Sequence, residues 1–585
     1  MLVAFATLLQ LSVAQISLTV DTGDLKPLDI CGSTSARMTV SNNKVYIYGG
    51  TSWIRNDTSL PFAVTNHYLR IADFTSTRDL SDESIMTAEG IPGFVTIFLT
   101  GAFWSDEEWL YAVGGQTEGA PYLTEQGQFV PANWTYWSAG TIFKYEIQNG
   151  NWSSEPARPP ENGEITTGTF CCGNFGWNER LGRGYVFSGS NYPGVTQLDP
   201  NAPYYYTGIS DPHGTGNMMT FDTATWRWSN KTTDEQLTTT WTESGALVFL
   251  PGTETTDGGI AISLGGVGKE PSDNMESMRE VLVYDSKTDS WYRQETTAEG
   301  NNFPASRDDF CAVAVSASDN SSHNIYIYGG QTLGVDDGFS DMYVLSIPSF
   351  HWIPLDVSNS VPHVSGTCAA LANRYIVTYG GFGTVNVGNS LKSGCNWDNH
   401  GLRLFDMSNL EWTSSYDASK SSYAVPSAVY AVIGGNGDGA ATKTTPAAGF
   451  QTSDLGTIFA AATGASTTSS SPSSSGSPTN GPAPSSSSSS HTGAIAGGVV
   501  GGVAFIAIIA IGSWLLRRRS KRKQAAPLAP APPFEKHGTP VYNYGHNYAP
   551  TPTQELEGRR EVHELNAHPV DPQGNSAVND AQRYH

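Results

Sequence analysis

Along the first 440 residues, runs of β-branched and aromatic side chains end repeatedly in glycine: 45–50 (VYIYGG), 110–115 (LYAVGG), 185–190 (YVFSGS), 261–266 (AISLGG), 325–330 (IYIYGG), 376–381 (IVTYGG) and 430–435 (YAVIGG). Such runs predict short strands, each closing on a glycine turn. The first glycines stand at 49, 114, 189, 265, 329, 380 and 434, giving spacings of 65, 75, 76, 64, 51 and 54 residues. An irregular period with a recurring unit points to a repeat array. A second mark is an aromatic residue, usually followed by an acid, with a Trp seven positions after the aromatic: Tyr145-Glu146 to Trp152, Phe221-Asp222 to Trp228, Tyr284-Asp285 to Trp291, Phe405-Asp406 to Trp412, and the apolar variant Leu345 to Trp352. A strand, a turn and another strand fit that spacing, so the aromatic and the Trp are expected on neighbouring strands. A further β-like run lies upstream of the glycines, as in 311–316 and 367–372, which makes each unit four strands. The first unit offers strand three at 66–77 without the spaced Trp, and the last keeps only 430–435 and the residues after it.

Beyond the repeats the pattern changes twice. Residues 466–490 hold 17 Ser/Thr and four Pro in 25 positions, a composition that cannot bury a core and suits an O-glycosylated stalk reaching roughly 75 Å at about 3.1 Å per residue. Residues 493–516 are 24 uncharged, mostly apolar positions, or roughly 36 Å of helix at about 1.5 Å per residue, enough to span a hydrocarbon core. Arg517, Arg518, Arg519, Lys521, Arg522 and Lys523 come immediately after, placing the tail on the cytoplasmic side and against anionic headgroups. At the other end, the apolar run 2–13 and Ser12-Val13-Ala14 predict a signal peptide cleaved before Gln15. The expected order is therefore signal peptide 1–14, β-repeat region 15–440, Ser/Thr/Pro-rich stalk 441–492, transmembrane helix 493–516 and disordered cytoplasmic tail 517–585. That order predicts a type I single-pass protein of the plasma membrane with its repeats outside.

Sequons and cysteines respect that division. Asn56, Asn133, Asn151, Asn230 and Asn320 begin sequons, all ahead of the span, and are candidate glycosylation sites. Cys31, Cys171, Cys172, Cys311, Cys368 and Cys395 also precede it; an even number on the oxidising side favours disulfides over metal sites. The sequence does not choose among their pairings. For the adjacent Cys171 and Cys172, two separate partners or a buried free thiol are favoured over a bridge between them.

Charge narrows the partners. The net charge is -23, with ten Lys/Arg and seven Asp/Glu from Arg517 onward, so the acidity lies in the outer part and argues against nucleic acid. Gly493, Gly497 and Gly501, with Gly498 and Gly502, form small-xxx-small steps, so the span is either a homodimer contact or simply glycine-rich. In the tail, Pro527, Pro530, Pro532 and Pro533 precede Tyr542 and Tyr544, a composition that fits either a plain linker or a ligand for SH3 or WW modules.

The di-glycine, the aromatic-acid step and the spaced Trp together resemble the kelch-repeat family of β-propellers. The resemblance implies an all-β propeller of six or seven four-stranded blades, with glycines admitting a close turn near the axis and Tyr and Trp filling the wedge between blades. Ring closure in such folds commonly takes a strand from each end of the chain, and 16–22 is the N-terminal candidate. The whole arrangement, with its span beginning AIAGGVVGGVA, resembles kelch-containing type I membrane proteins of filamentous fungi.

Kelch folds also include the copper-radical galactose oxidases, whose pattern needs two His ligands, an adjacent Tyr-His pair and a Tyr cross-linked to a Cys. Here His67, His213, His323, His351, His363 and His400 precede the span and none directly follows a Tyr; the Tyr-His step is Tyr584-His585, in the tail. Asp336, Asp337 and Asp341 lack a full calcium ligand series. No catalytic residue, metal or cofactor is expected, and an extracellular copper-radical oxidase or other propeller enzyme is the alternative. Binding is expected instead on the connections from strand two to strand three, which share one face. They carry Tyr122, Trp134, Trp137, Tyr204, Tyr205, Tyr206 and Trp397. Such rings either stack on a glycan or anchor a protein ligand, or they pack beneath their own connections.

Overall fold

The computed structural model describes residues 28, 30, 32–54, 62–115, 122–123, 129–130, 141–158, 169–192, 213–214, 217–232, 242–255, 257–268, 274–335, 337–383 and 398–462. The chain divides into two units, Met1–Pro472 and Ser473–His585, and every described residue lies in the first. The expected signal peptide, the 16–22 strand, most of the stalk, the span and the tail lie outside the described residues. Among those described, no helix is long and apolar enough to cross a membrane.

Among its described residues the first unit is all-β apart from single 3-10 turns and two short helices, α1 (Ser427–Ile433) and α2 (Ser453–Ala462). Among the described residues, the longer strands form six successive four-stranded antiparallel units in sequence order, here sheets 1 to 6, and shorter strands pair in five two- or three-stranded sheets besides. Sheet 1 is Arg37–Ser41, Lys44–Tyr48, Tyr68–Asp73 and Met86–Gly90. Sheet 2 is Ala102–Ser105, Trp109–Val113, Thr141–Glu146 and Asn151–Pro156. Sheet 3 is Asn174–Asn178, Arg183–Phe187, Asn217–Asp222 and Arg227–Thr232. Sheet 4 is Ala246–Phe249, Ile260–Leu264, Glu280–Asp285 and Ser290–Glu295. Sheet 5 is Cys311–Ser316, His323–Tyr328, Met342–Ile347 and His351–Leu355, with Thr297–Ala298 added in parallel at its edge. Sheet 6 is Thr367–Leu371, Tyr375–Tyr379, Leu402–Asp406 and Glu411–Thr413.

The spaced Trp falls where its spacing put it. Tyr145 and Trp152, Phe221 and Trp228, Tyr284 and Trp291, Leu345 and Trp352, and Phe405 and Trp412 are direct cross-strand partners on strands three and four. Between them the chain reverses through a left-handed residue five places after the aromatic: Gly150, Trp226, Asp289, Phe350 and Leu410, with φ from 48 to 69°. The acid of the motif holds that turn. The Asp222 carboxylate accepts from the Thr225 amide at 2.9 Å, Asp285 from Lys287 at 3.0 Å, and Asp406 from Ser408 at 2.9 Å. Three of the Trp rings also reach into an interface between sheets: Trp152 lies 5.4 Å from Tyr48, Trp291 4.3 Å from Phe187 and Trp412 5.0 Å from Tyr328, ring centre to ring centre.

Strand alternation divides each sheet into two apolar faces. In sheet 1, Val45 and Ile47 pack with Val377 and Leu404 of sheet 6, while Tyr46 and Tyr48 pack with Leu110 and Phe143 of sheet 2. The same division continues between sheets 2 and 3, 3 and 4, 4 and 5, and 5 and 6. The core is therefore a series of interfaces that returns to its start.

Backbone hydrogen bonds close the circuit. Ser35, Thr100, Cys172, Ser244, Asp309 and Ser365 stand just before strand one of sheets 1 to 6, all with φ between 50 and 63°. The N–H of Thr100 donates to the Ser35 carbonyl (3.3 Å), Cys172 to Thr100 (3.1 Å), Ser244 to Cys172 (2.8 Å), Asp309 to Ser244 (2.9 Å), Ser365 to Asp309 (3.3 Å) and Ser35 to Ser365 (2.9 Å). A second tie uses the glycines. The amides of Gly50, Gly189, Gly266, Gly330 and Gly381 donate to Phe98, Thr242, Arg307, His363 and Ser33, each in the loop entering the next sheet. At Gly380, φ is 71° and an added Cβ would lie 2.4 Å from the Ser33 carbonyl oxygen, so this approach needs glycine.

Two sequence expectations are corrected. The run 430–435 is not a strand: Tyr430 lies in α1, which buries Val429 and Ile433, four residues apart on one helical face, against sheets 5 and 6. A short apolar run does not by itself distinguish the two periods. The adjacent cysteines do bridge: Cys171 and Cys172 form one disulfide, and Cys311 and Cys368 another, between strand one of sheet 5 and strand one of sheet 6. Cys31 and Cys395 lie outside the described residues.

After sheet 6 the chain pairs Ser415–Tyr416 with Arg78–Asp79 of the first repeat and then forms a strap. The strap fastens to turns between strands one and two and between strands three and four. Arg374 donates to the Ser422 carbonyl (3.3 Å), the Ala424 amide to Ser408 (2.9 Å), Ser318 to the Asp438 carbonyl (2.7 Å) and the Ala440 amide to Asp319 (2.6 Å). Residues 441–462, assigned by sequence to the stalk, include α2, whose Leu455 and Phe459 are buried beside Phe350.

Candidate functional site

Strand one of every sheet starts at the closed hydrogen-bond ring, and strand two ends beside it at the glycines, so the ring, the glycines and the strand ends that the connections from strand two to strand three join occupy one end of the unit. The strap occupies the other. Inside the ring, the first strands of all six sheets line one cavity of about 420 Å³. Its lining is mostly small and apolar, with aromatic walls at Phe103, Trp104, Phe175, Trp177 and Phe310. Two charged side chains interrupt it, Arg37 and Asp309.

Arg37 opens strand one of sheet 1. Its Nε donates to the Gly101 carbonyl at 2.9 Å, and its guanidinium carbon lies 5.2 Å from the centre of the Phe175 ring. Burial lowers its pKa from the ordinary arginine value, and the field of Asp309 works against that shift. Asp309 belongs to the hydrogen-bond ring and accepts from the Ser365 hydroxyl at 2.8 Å. Sequence reasoning passed over both residues. The available signal was a small or polar residue followed by Gly or Ala just ahead of strand one, as in Ser35-Ala36, Thr100-Gly101, Cys172-Gly173, Ser244-Gly245 and Ser365-Gly366.

The histidines are placed apart from one another in the sheets and loops. His323 is buried, with Nδ1 2.7 Å from the Ser316 hydroxyl and 3.1 Å from the Pro251 carbonyl oxygen, and burial lowers its pKa to about 4. His363 stacks on Tyr328 at 5.2 Å beneath Gly366 and Gly381; burial, then the Arg403 charge, lowers its pKa to about 4. His351 meets the Thr297 hydroxyl at 2.7 Å. Among the described residues no group of three or more His, Cys, Asp or Glu is placed to hold a metal ion.

Of the aromatic residues expected to bind, Tyr122 lies in a two-residue strand paired with Phe129–Val130. Trp134, Trp137, Tyr204, Tyr205, Tyr206 and Trp397 lie outside the described residues, as do the sequons at Asn56 and Asn133. Asn151 and Asn230 are exposed on the fourth strands of sheets 2 and 3, while Asn320 is half-buried in a turn at φ 56° beside Gly252.

Six four-stranded units joined by one amide circuit, five of them also tied to the next through a turn glycine, define an all-β repeat protein. The chain is 28% identical to a Kelch repeat-containing protein of Arthroderma benhamiae, over 74% of this chain and 67% of that one. No family model matches it. The kelch-repeat resemblance carried by the di-glycines and the spaced Trp is thus borne out.

Proposed function

We propose that the six sheets are the blades of a six-bladed kelch-type propeller, and that the protein is a non-catalytic cell-surface binder of a glycan or protein ligand, acting in adhesion, as a receptor or as a cell-wall sensor. The observation that carries this reading is the opposition of the two ends. The strap is fastened to the turns at one end, by Arg374, Ser408, Ser318 and Asp319. The strand ends from which the connections between strands two and three leave lie at the other, clear of the strap. A relative described as kelch repeat-containing agrees with a role in interaction.

The test is binding of the full-length protein, in detergent, to an array of polysaccharides and glycans, with metal content measured on the same sample. Saturable binding is expected, weakened at least about tenfold by combining Trp134→Ala, Trp137→Ala and Tyr205→Ala. Binding unchanged in that variant would remove the connections from the reading. Stoichiometric copper with oxidase activity would replace the binder with the copper-radical enzyme.

A further inference from the structure

Just inside the closed ring stand two opposite charges that do not meet. Arg37 uses its Nε on Gly101, and neither Nη has a hydrogen-bond or ion-pair partner among the described residues. Asp309 accepts from Ser365 through Oδ2, leaving Oδ1 without a protein donor among the described residues. Both line the same cavity of about 420 Å³, in the range of about 300–1,000 Å³ typical of small-molecule sites. A guanidinium so desolvated offers a planar pair of N–H donors that matches the two oxygens of a carboxylate. The carboxylate of Asp309 offers an acceptor for a neutral hydroxyl and repels a second negative charge. Phe175, Trp177 and Phe310 add ring faces for the C–H side of a small ring.

We propose that the mouth of the cavity binds a singly charged hydroxy-carboxylic acid of sugar size, a uronic acid, with its carboxylate on the Arg37 Nη groups and a hydroxyl donating to Asp309 Oδ1. The assignment rests on Arg37 and Asp309, which the binding reading above does not use, so the two are tested independently.

The experiment is calorimetric titration of the full-length protein with glucuronate, glucose, inorganic phosphate and short oligogalacturonides. Glucuronate binds saturably at one site, with glucose and phosphate each at least about tenfold weaker, because glucose lacks the carboxylate for Arg37 and hydrogen phosphate brings a second negative charge against Asp309. Arg37→Met removes glucuronate binding. Asp309→Asn narrows the gap between glucuronate and phosphate, and this second variant keeps the test open if Arg37→Met lowers the melting temperature. Tighter binding of the oligogalacturonides identifies a polymer end as the source, and weaker binding identifies the free acid. Undetectable glucuronate binding, glucuronate binding unchanged in Arg37→Met, or phosphate equal to glucuronate in the unaltered protein would each overturn the assignment.

Discussion

At the scale of single residues, backbone conformation is settled by position more than by residue type. The left-handed turn residue is Gly150 in sheet 2 but Trp226, Asp289, Phe350 and Leu410 in sheets 3 to 6. Only the first advertises its conformation in the sequence. Burial acts with similar force on charge. His323 and His363 are held neutral, each with a pKa of about 4, so the unfolded chain takes up protons at them first as the pH falls. Their contribution is complete above the unfolded value near 6.5 and is lost between there and about 4. With roughly 1.4 kcal/mol per unit, each imidazole is expected to cost about 3 kcal/mol of stability by pH 4. Urea unfolding at pH 7 and pH 4.5 should show that loss, and His363→Phe, which retains the stack on Tyr328, should reduce the pH slope. Parallel pH profiles for the two proteins would rule the histidine out as a source.

Among elements, the parts legible in the sequence and the parts hidden from it have the same physical origin. The second strands and the paired aromatic and Trp were legible because a turn of fixed length forces fixed spacing, and the register bears this out from Tyr145 and Trp152 to Phe405 and Trp412. The segment 430–435 was not legible, since its apolar run satisfies a helix as well as a strand. Arg37 and Asp309 were not legible either. They derive their setting from sheets far apart in the chain, and the small or polar residue recurring ahead of strand one marks the ring without marking which side chain faces the shared cavity. The disulfide between Cys311 and Cys368 belongs to this scale, because it staples the first strands of two neighbouring sheets across 57 residues of sequence. Replacing both by Ala should lower stability by about 3–4 kcal/mol. A melting temperature equal to that of the parent would show that the packing between sheets 5 and 6 makes the staple redundant.

For the molecule as a whole, no sheet is an end. Sheet 6 shares one apolar interface with sheet 5 and another with sheet 1. Deleting 366–416 should therefore uncover both interfaces and abolish the cooperative calorimetric transition, whereas deleting 453–462, which uncovers only the patch around Phe350, should keep a transition at lower temperature. A cooperative transition surviving loss of sheet 6 would mean that the sheets fold as a linear array.

The closed circuit of amides through Ser35, Thr100, Cys172, Ser244, Asp309 and Ser365 has one more consequence. Every member is both donor and acceptor, so the circuit has no terminus at which a further unit could simply be appended. A duplicated unit would have to break a bond and alter the angle at every interface together. Insertions that leave the circuit intact are thereby confined to the connections between strands, whose lengths can change without touching any of its six bonds.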